Sequence, residues 1–258
     1  MFELFIAELA RTLILMLRYP VALFLDVFMN FAYFFCIFTG AKYFAGEHSS
    51  QFGHNAGGMV LGYFIWIIII TGFGHVTQEI EREARSGTLE NIFLSGHKKA
   101  VIFVFRSFAG ITVCFVQLCL VVPLMIYATG VEISFPVNII LPCLALVVAT
   151  SGIGLMIGGG ALIFKRFGDV LIPVQYAVLL ILMVPVESWP VWFSKLSCAM
   201  PGIPVVLILK QIMIYGGDFD YRLMVVAMLN AAFYLLLGIC VFYQMVIYSK
   251  KRGLVSGY

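Results

Sequence analysis

Apolar residues fill six long segments of this chain, and polar residues collect in the connections between them. A helix needs roughly 20 mostly apolar residues to cross the hydrocarbon core of a membrane, which is about 30 Å thick. The pattern therefore predicts an all-α, polytopic membrane protein with six transmembrane helices. The segments that meet this length are residues 21–44, 57–77, 101–128, 138–163, 168–186 and 223–248, of which the fifth is short and contains two prolines.

The first 19 residues follow a different pattern, in which polar side chains interrupt an apolar stretch at helical spacing. Glu3, Glu8 and Arg11 lie on one side of such a helix. This spacing predicts an amphipathic helix in the cytoplasmic interface over residues 1–19. The alternative is the start of one long first span, but Tyr19 followed by Pro20 favours a break and a new helix start.

Residues 20–258 form a single predicted transmembrane domain, and two of its connections are unusual. Residues 78–100 make a patterned loop after the second span. Residues 187–222 precede the last span and are apolar or amphipathic, with breaks at Pro190, Pro201 and Pro204. This pattern predicts short re-entrant helices that dip into the outer leaflet. Tryptophans within the segment also fit the aromatic belt found at membrane interfaces.

The distribution of lysine and arginine predicts the orientation of the chain. Eleven of these residues lie in the terminal segments and in the connections that share their side, and four lie in the other connections. Because positive residues accumulate on the cytoplasmic side, both termini are expected there. We expect the protein in the cytoplasmic (inner) membrane of a prokaryote, in contact with membrane lipid.

Composition agrees with this class and excludes several others. The chain is 62% hydrophobic and 11% charged, with a mean hydropathy of +1.05, whereas soluble domains are about half apolar and a quarter charged. The net charge of +3 forms no water-facing basic stripe, so no nucleic acid is expected as a partner. The six cysteines lack metal-ligand spacing. No phosphate-binding GxxxxGK[ST] motif occurs, and no catalytic or cofactor-binding residue is predicted in this chain.

The loop at residues 78–99 reads QEIEREARSGTLENIFLSGHKK and carries the most information about function. Its first part continues the second transmembrane helix into water as far as Arg85, and Ser86 with Gly87 ends that helix. Thr88 can then cap a new short helix, with Glu90 near its positive end.

The predicted short helix has one apolar face, formed by Leu89, Ile92 and Phe93 at helical spacing. An apolar face on a cytoplasmic loop needs a surface to bury against. Docking into the groove of a partner protein is one solution, and the membrane interface is the other.

This loop resembles the cytoplasmic loop of type-2 ATP-binding-cassette (ABC) exporter permeases. The likeness lies in an acidic and basic helix end followed by Gly-Thr-Leu-Glu and an apolar turn. The six spans, the interfacial helix and the re-entrant outer segment extend it more loosely over the chain. One departure is that the family often has a proline soon after the apolar turn, where this chain has Gly96. The matching residues are Glu81, Glu83, Gly87, Thr88, Leu89, Glu90, Ile92, Phe93, Leu94 and Ser95.

The resemblance implies a coupling helix seated in a cleft of a separate ATPase subunit. It also implies two copies of that ABC ATPase per complex, which bind ATP–Mg, and a second permease chain that is identical or homologous. This chain would be a non-catalytic subunit. The residues expected to take part in ATPase coupling are Glu81, Arg82, Glu83, Arg85, Gly87, Thr88, Leu89, Glu90, Ile92 and Phe93.

The leading functional hypothesis is therefore export of a hydrophobic or amphipathic substrate, such as a drug, a lipid or a lipid-linked product. Export of a lipid-linked polysaccharide is the alternative within the family. An intramembrane lipid-modifying enzyme is the alternative from another class, and it predicts clustered acids or histidines at one membrane face. A channel would not need the apolar loop helix.

Few polar side chains lie within the predicted spans. Asp26 and Asn30 are one helical turn apart in the first span, and Phe34 belongs to a dense phenylalanine stripe there. These three residues are candidates for a transport path, although the stripe also suits a lipid-facing surface. Asp26 is alternatively expected to pair with Arg18 or Arg106, and Arg106 is expected to extend toward the interface.

Overall fold

The computed structural model describes residues 2–45, 49–87, 99–131, 133, 135–163, 168–183, 200–214, 216–217 and 219–252. Within these residues every regular element is helical. The helices are α1 (Phe2–Arg18), α2 (Pro20–Ala45), α3 (Ser49–Arg85), α4 (Lys99–Thr129), a short 3-10 turn (Val137–Ile139), α5 (Ile140–Ala161), α6 (Gly168–Met183), α7 (Ile203–Met213) and α8 (Tyr221–Lys251).

Five helical segments in the described part of the chain are long and apolar enough to cross a membrane: Pro20–Tyr43, Ala56–Arg85, Ile102–Thr129, Val137–Ala161 and Tyr221–Ser249. They confirm the all-helical prediction for the described residues, agree with a multi-pass membrane protein, and match five of the six predicted spans. The remaining one corresponds to α6, whose 16 residues cover about 24 Å.

The N-terminal segment forms a helix of its own. The α1 helix ends at Arg18 and α2 begins at Pro20, as expected for proline in the first turn of a helix. The rings of Phe5 and Phe105 lie 5.6 Å apart, so α1 packs against the beginning of α4. The alternative of one continuous first span is therefore wrong.

The α3 helix lies at the centre of the fold, with 78% of its most apolar stretch buried, against 11% for α2. It contacts α4, α5 and α6, and α5 in turn packs along α8. A second apolar cluster gathers the end of α3 with Phe103 of α4, Leu162 after α5, and Phe242 of α8. We call this region the charged end of the bundle, because ionised residues surround it.

The tight packing of α5 depends on glycines, as their spacing predicts. A side chain at Gly154 would meet the backbone carbonyl of Gly72 in α3, and one at Gly158 would meet Val76. On its other side, Gly152 lies against the backbone of Gly238 in α8. The backbones of three helices therefore approach closely at α5.

We expect Gly154→Ala to lower the free energy of unfolding by about 1–3 kcal/mol, because the added methyl group forces α3 and α5 apart. The matched control is Gly40→Ala in α2, where nothing lies within 4 Å of the new methyl group. That control should stabilise α2 slightly, since alanine is the better helix former. Denaturant unfolding in detergent micelles compares the two, and an equal response would contradict close packing at Gly154.

Candidate functional site

The predicted coupling residues that the structure describes lie at the charged end, on the last turns of α3 and the turn that follows. As predicted, the helix continues to Arg85, and Ser86 and Gly87 form a turn in which the Gly87 N–H donates to the Ala84 carbonyl at 3.2 Å. Gly87 has a φ of 70°, a left-handed conformation that favours glycine. The turn at Ser86 and Gly87 therefore ends α3 where the Gly-Thr-Leu-Glu motif begins.

Five of the predicted coupling residues belong to this described tip. Arg82 and Arg85 point outward, with 64% and 82% of their side chains exposed, and they pair with Glu79 and Glu81 on the same helix. A pocket with a volume of about 550 Å³ lies beside them. Thr88, Leu89, Glu90, Ile92 and Phe93 lie outside the described residues.

Glu83 points in the opposite direction, into a buried ion network between three helices. Its Oε1 accepts a hydrogen bond of 2.6 Å from Arg106 Nη1 of α4. Arg106 Nε also donates to Glu8 Oε1 of α1 at 3.1 Å, and its Nη1 lies 3.6 Å from Glu79 Oε2. Arg106 is 8% exposed, so the expectation that it extends to the interface is wrong: these carboxylates hold it inside the protein.

Among the described residues, the ion network joins three carboxylates and three guanidinium groups, whose formal charges cancel. Arg11 joins it through Glu8 at 3.4 Å and Glu83 at 3.9 Å. Arg82 joins it through Glu79 at 3.7 Å. Because these residues come from α1, α3 and α4, the network ties the tip of α3 to both neighbouring helices.

A cavity of about 410 Å³ adjoins this network, between α1, α2, α3 and α4. Its polar lining includes Asp26 and Gln117 at one end and His75, Glu79 and Arg106 nearer the network. We call it the polar cavity.

His75 and Gly110 form part of one helix contact beside the polar cavity. The imidazole ring of His75 occupies the space that a side chain at position 110 would need. Its Nδ1 atom is buried and has no hydrogen-bond partner within the described structure. The glycine therefore makes room for a polar ring between α3 and α4.

The three predicted transport-path residues do not share one environment. Asp26 lines the polar cavity and accepts a hydrogen bond of 3.2 Å from Gln117 Nε2. The pairing of Asp26 with Arg18 or Arg106 is wrong, because Arg106 is held by glutamates and Asp26 makes its contact with Gln117. Phe34 is fully buried against Tyr63, with ring centroids 5.3 Å apart. Asn30 bonds to the Asp26 carbonyl, and its own carbonyl accepts from Tyr63.

A second cavity is almost wholly apolar and lies between α3, α4 and α5 on the side away from the charged end. It measures about 860 Å³, and Phe64, Phe115, Val122, Phe135 and Cys143 are among its walls. An apolar cavity of this size suits hydrocarbon chains, and its described lining includes the thiols of Cys119 and Cys143 but no charged side chain.

Sequence reasoning missed Glu8, Arg11, Glu79 and Gln117 as parts of one site. The available signal was the helical spacing of Glu79 with Glu83 and of Glu8 with Arg11, which places each pair on one helix face. That signal gives the faces but not which helices meet.

No protein-family model matches this chain, and no curated protein matches it significantly. The likeness to type-2 exporter permeases therefore stands on the loop residues and on the predicted topology.

Proposed function

We propose that this chain is the membrane-spanning permease subunit of an ATP-driven exporter, which moves a hydrophobic or amphipathic substrate outward. A separate ABC ATPase, in two copies, would hydrolyse ATP–Mg, and a second permease chain would complete the pathway. One observation carries the proposal: α3 runs without a break from the bundle to Arg85. The residues that resemble the family's coupling helix follow directly after its terminal turn.

The ion network supports a coupling role for this loop, because it anchors the helices on both sides of it. Glu83 lies near the end of α3, and Arg106 lies near the beginning of α4, with the loop between them. A docked loop helix that moves with an ATPase would therefore move α3, α4 and α1 together. Such a shift requires different contacts in the two states of the complex.

The proposal includes six spans, with residues 168–186 as the fifth, and α7 as part of a re-entrant outer segment. Most of α7 is buried, including Val205, Leu209 and Lys210, as expected for a short helix packed inside the bundle. The ends of α3, α5 and α8 meet at the charged end, in agreement with a common cytoplasmic side. We place this side, with both termini, in the cytoplasm of a prokaryotic cell.

An intramembrane lipid-modifying enzyme is the second candidate, because acids do cluster at one face of the bundle. Glu8, Glu79 and Glu83 lie around Arg106, with His75 nearby. All three carboxylates form ion pairs, and a general acid or base needs a group free to exchange protons with substrate. The cluster therefore favours a structural anchor, and the exporter remains the leading proposal.

We expect the purified chain to hydrolyse no ATP by itself, and to support substrate-stimulated hydrolysis once its co-purifying ATPase is added back. The reason is that the chain has no phosphate-binding loop. Phosphate release in lipid nanodiscs measures both activities, and an ATPase inactivated in its own phosphate loop controls for contamination. Hydrolysis by the isolated chain, in a preparation free of contaminating ATPase, would overturn the proposal.

A further inference from the structure

One carboxylate of the polar cavity stands outside the ion network. Asp26 accepts a hydrogen bond from the neutral amide of Gln117, and none of the described lysine, arginine or histidine side chains lies within ion-pairing distance of it. The charges of the network cancel among themselves. Asp26 therefore gives the cavity one negative charge without a counterion.

The position of Asp26 makes this charge informative. Its partner Gln117 lies about 16 Å along α4 from Arg106, so the carboxylate is displaced from the ion network along the apolar span, and the Asp26 side chain is exposed at the surface of α2. Ionised groups at membrane depth are costly, and they usually face protein or a wet cavity at a functional site. One amide donor compensates only part of that cost.

Apolar residues also line the polar cavity. They include Leu15 and Met16 of α1, Leu23 of α2 and Val113 of α4. Its volume of about 410 Å³ falls within the range of small-molecule sites. The cavity thus offers apolar walls and one carboxylate outside the ion network, and Arg11, Arg82 and Arg106 of that network line it as well.

We propose that the polar cavity binds a monovalent organic cation with an apolar body, whose charge lies against Asp26. The cation is either the ammonium group of a membrane lipid or a soluble amphiphilic cation. This deepens the proposed function by naming a substrate class, and it rests on that function only for the ligand's role as an exported substrate. Binding itself requires no ATPase.

The test compares two ions of nearly the same shape and opposite charge, tetraphenylphosphonium and tetraphenylborate. Equilibrium dialysis at pH 8, where free imidazole is neutral, measures their binding to the chain in phosphatidylcholine nanodiscs. Empty nanodiscs give the partition into lipid. We expect at least tenfold tighter binding of the cation, and a loss of tenfold or more in Asp26→Asn with tetraphenylborate binding not weakened.

Three further variants keep this result independent of folding. Asp26→Glu retains the charge and should keep the preference for the cation, whereas Leu23→Trp should weaken binding by filling the cavity. Glu3→Gln changes an exposed carboxylate of α1 outside the cavity and should bind as the unmodified chain does. Equal binding of the cation by Asp26→Asn and Asp26→Glu, both monodisperse, would overturn the proposal while leaving the ATPase test unaffected.

Nanodiscs that contain phosphatidylethanolamine separate the two sources of the cation. A lipid ammonium that occupies the cavity would weaken tetraphenylphosphonium binding there, relative to phosphatidylcholine alone, and Asp26→Asn would abolish that difference. Equal binding in the two lipids assigns the cavity to a soluble amphiphilic cation. A lipid effect that persists in Asp26→Asn would count against the cavity as the binding site.

Discussion

Arg106→Met is expected to lower the free energy of unfolding by about 3 kcal/mol or more, because it leaves carboxylates buried without their partner. The Arg106 side chain is only 10% exposed, and it reaches Glu8, Glu79 and Glu83 at 3.1, 3.6 and 2.6 Å. Methionine fills similar space without charge or hydrogen-bond donors. The loss therefore reports the ion network rather than a cavity.

Arg82→Met is the matched control at the edge of the same network. Its side chain is 64% exposed and pairs with Glu79 at 3.7 Å within one helix. Exposed pairs of this kind contribute about 0.2–1 kcal/mol, so the change should be small. Reversible unfolding in mixed micelles, followed by circular dichroism, measures both variants, and equal losses would show that Arg106 does not hold the network together.

A combined variant separates the loss of charge balance from a general disturbance of packing. Arg106→Met together with Glu8→Gln and Glu83→Gln removes two of the carboxylates that the single variant leaves uncompensated. Part of the lost stability should then return, since groups in one network respond non-additively. Additive losses would instead indicate that the three side chains act independently.

The helices themselves follow closely from the sequence. Long apolar runs give α2, α4, α5 and α8 close to their predicted bounds, because hydrocarbon requires continuous helices of sufficient length, whereas α3 begins at Ser49 rather than at residue 57. Local chemistry likewise sets the break before Pro20 and the turn at Gly87. These features depend on residues close together in the chain, so one sequence suffices to predict them.

The ion network depends instead on which helix faces meet. The sequence does not show this, so it led to the wrong prediction for Arg106. Arg106 and Glu8 are 98 positions apart, and their contact requires α1 to pack on α4. In the sequence, an arginine near the end of a span gives the same pattern whether its side chain extends to the interface or pairs with buried acidic residues. Glu83 likewise matches the loop motif, yet only the fold reveals that it points inward.

The fifth span and the coupling helix are the parts for which local pattern remains the main argument. The α6 helix has 16 residues, a length between that of a full span and a re-entrant segment. Pro173 lies inside this helix and Pro185 follows it in the sequence, so its apolar pattern is shorter and more interrupted than those of the other spans. The Leu89, Ile92 and Phe93 face is argued from spacing alone, so it needs a direct test.

We expect Phe93→Ala to weaken co-purification of the ATPase subunit about thirtyfold. Removal of a buried aromatic anchor at a protein interface costs about 2 kcal/mol or more, and 1.4 kcal/mol corresponds to a factor of ten in affinity. Leu89→Ala and Ile92→Ala should act in the same direction. Substrate-stimulated ATP hydrolysis should fall together with docking, because the loop would transmit the movement.

Lys98→Ala is the control, since Lys98 does not belong to the predicted apolar face, and a solvated charge at the rim of an interface contributes little. The loop lies outside the predicted spans, so all four variants should insert, and size-exclusion chromatography checks that they remain monodisperse. If Phe93→Ala, Leu89→Ala and Ile92→Ala all retain full ATPase binding and hydrolysis, residues 88–95 are not a coupling helix. Their apolar face would then rest on lipid, and the exporter proposal would lose the sequence feature on which it chiefly depends.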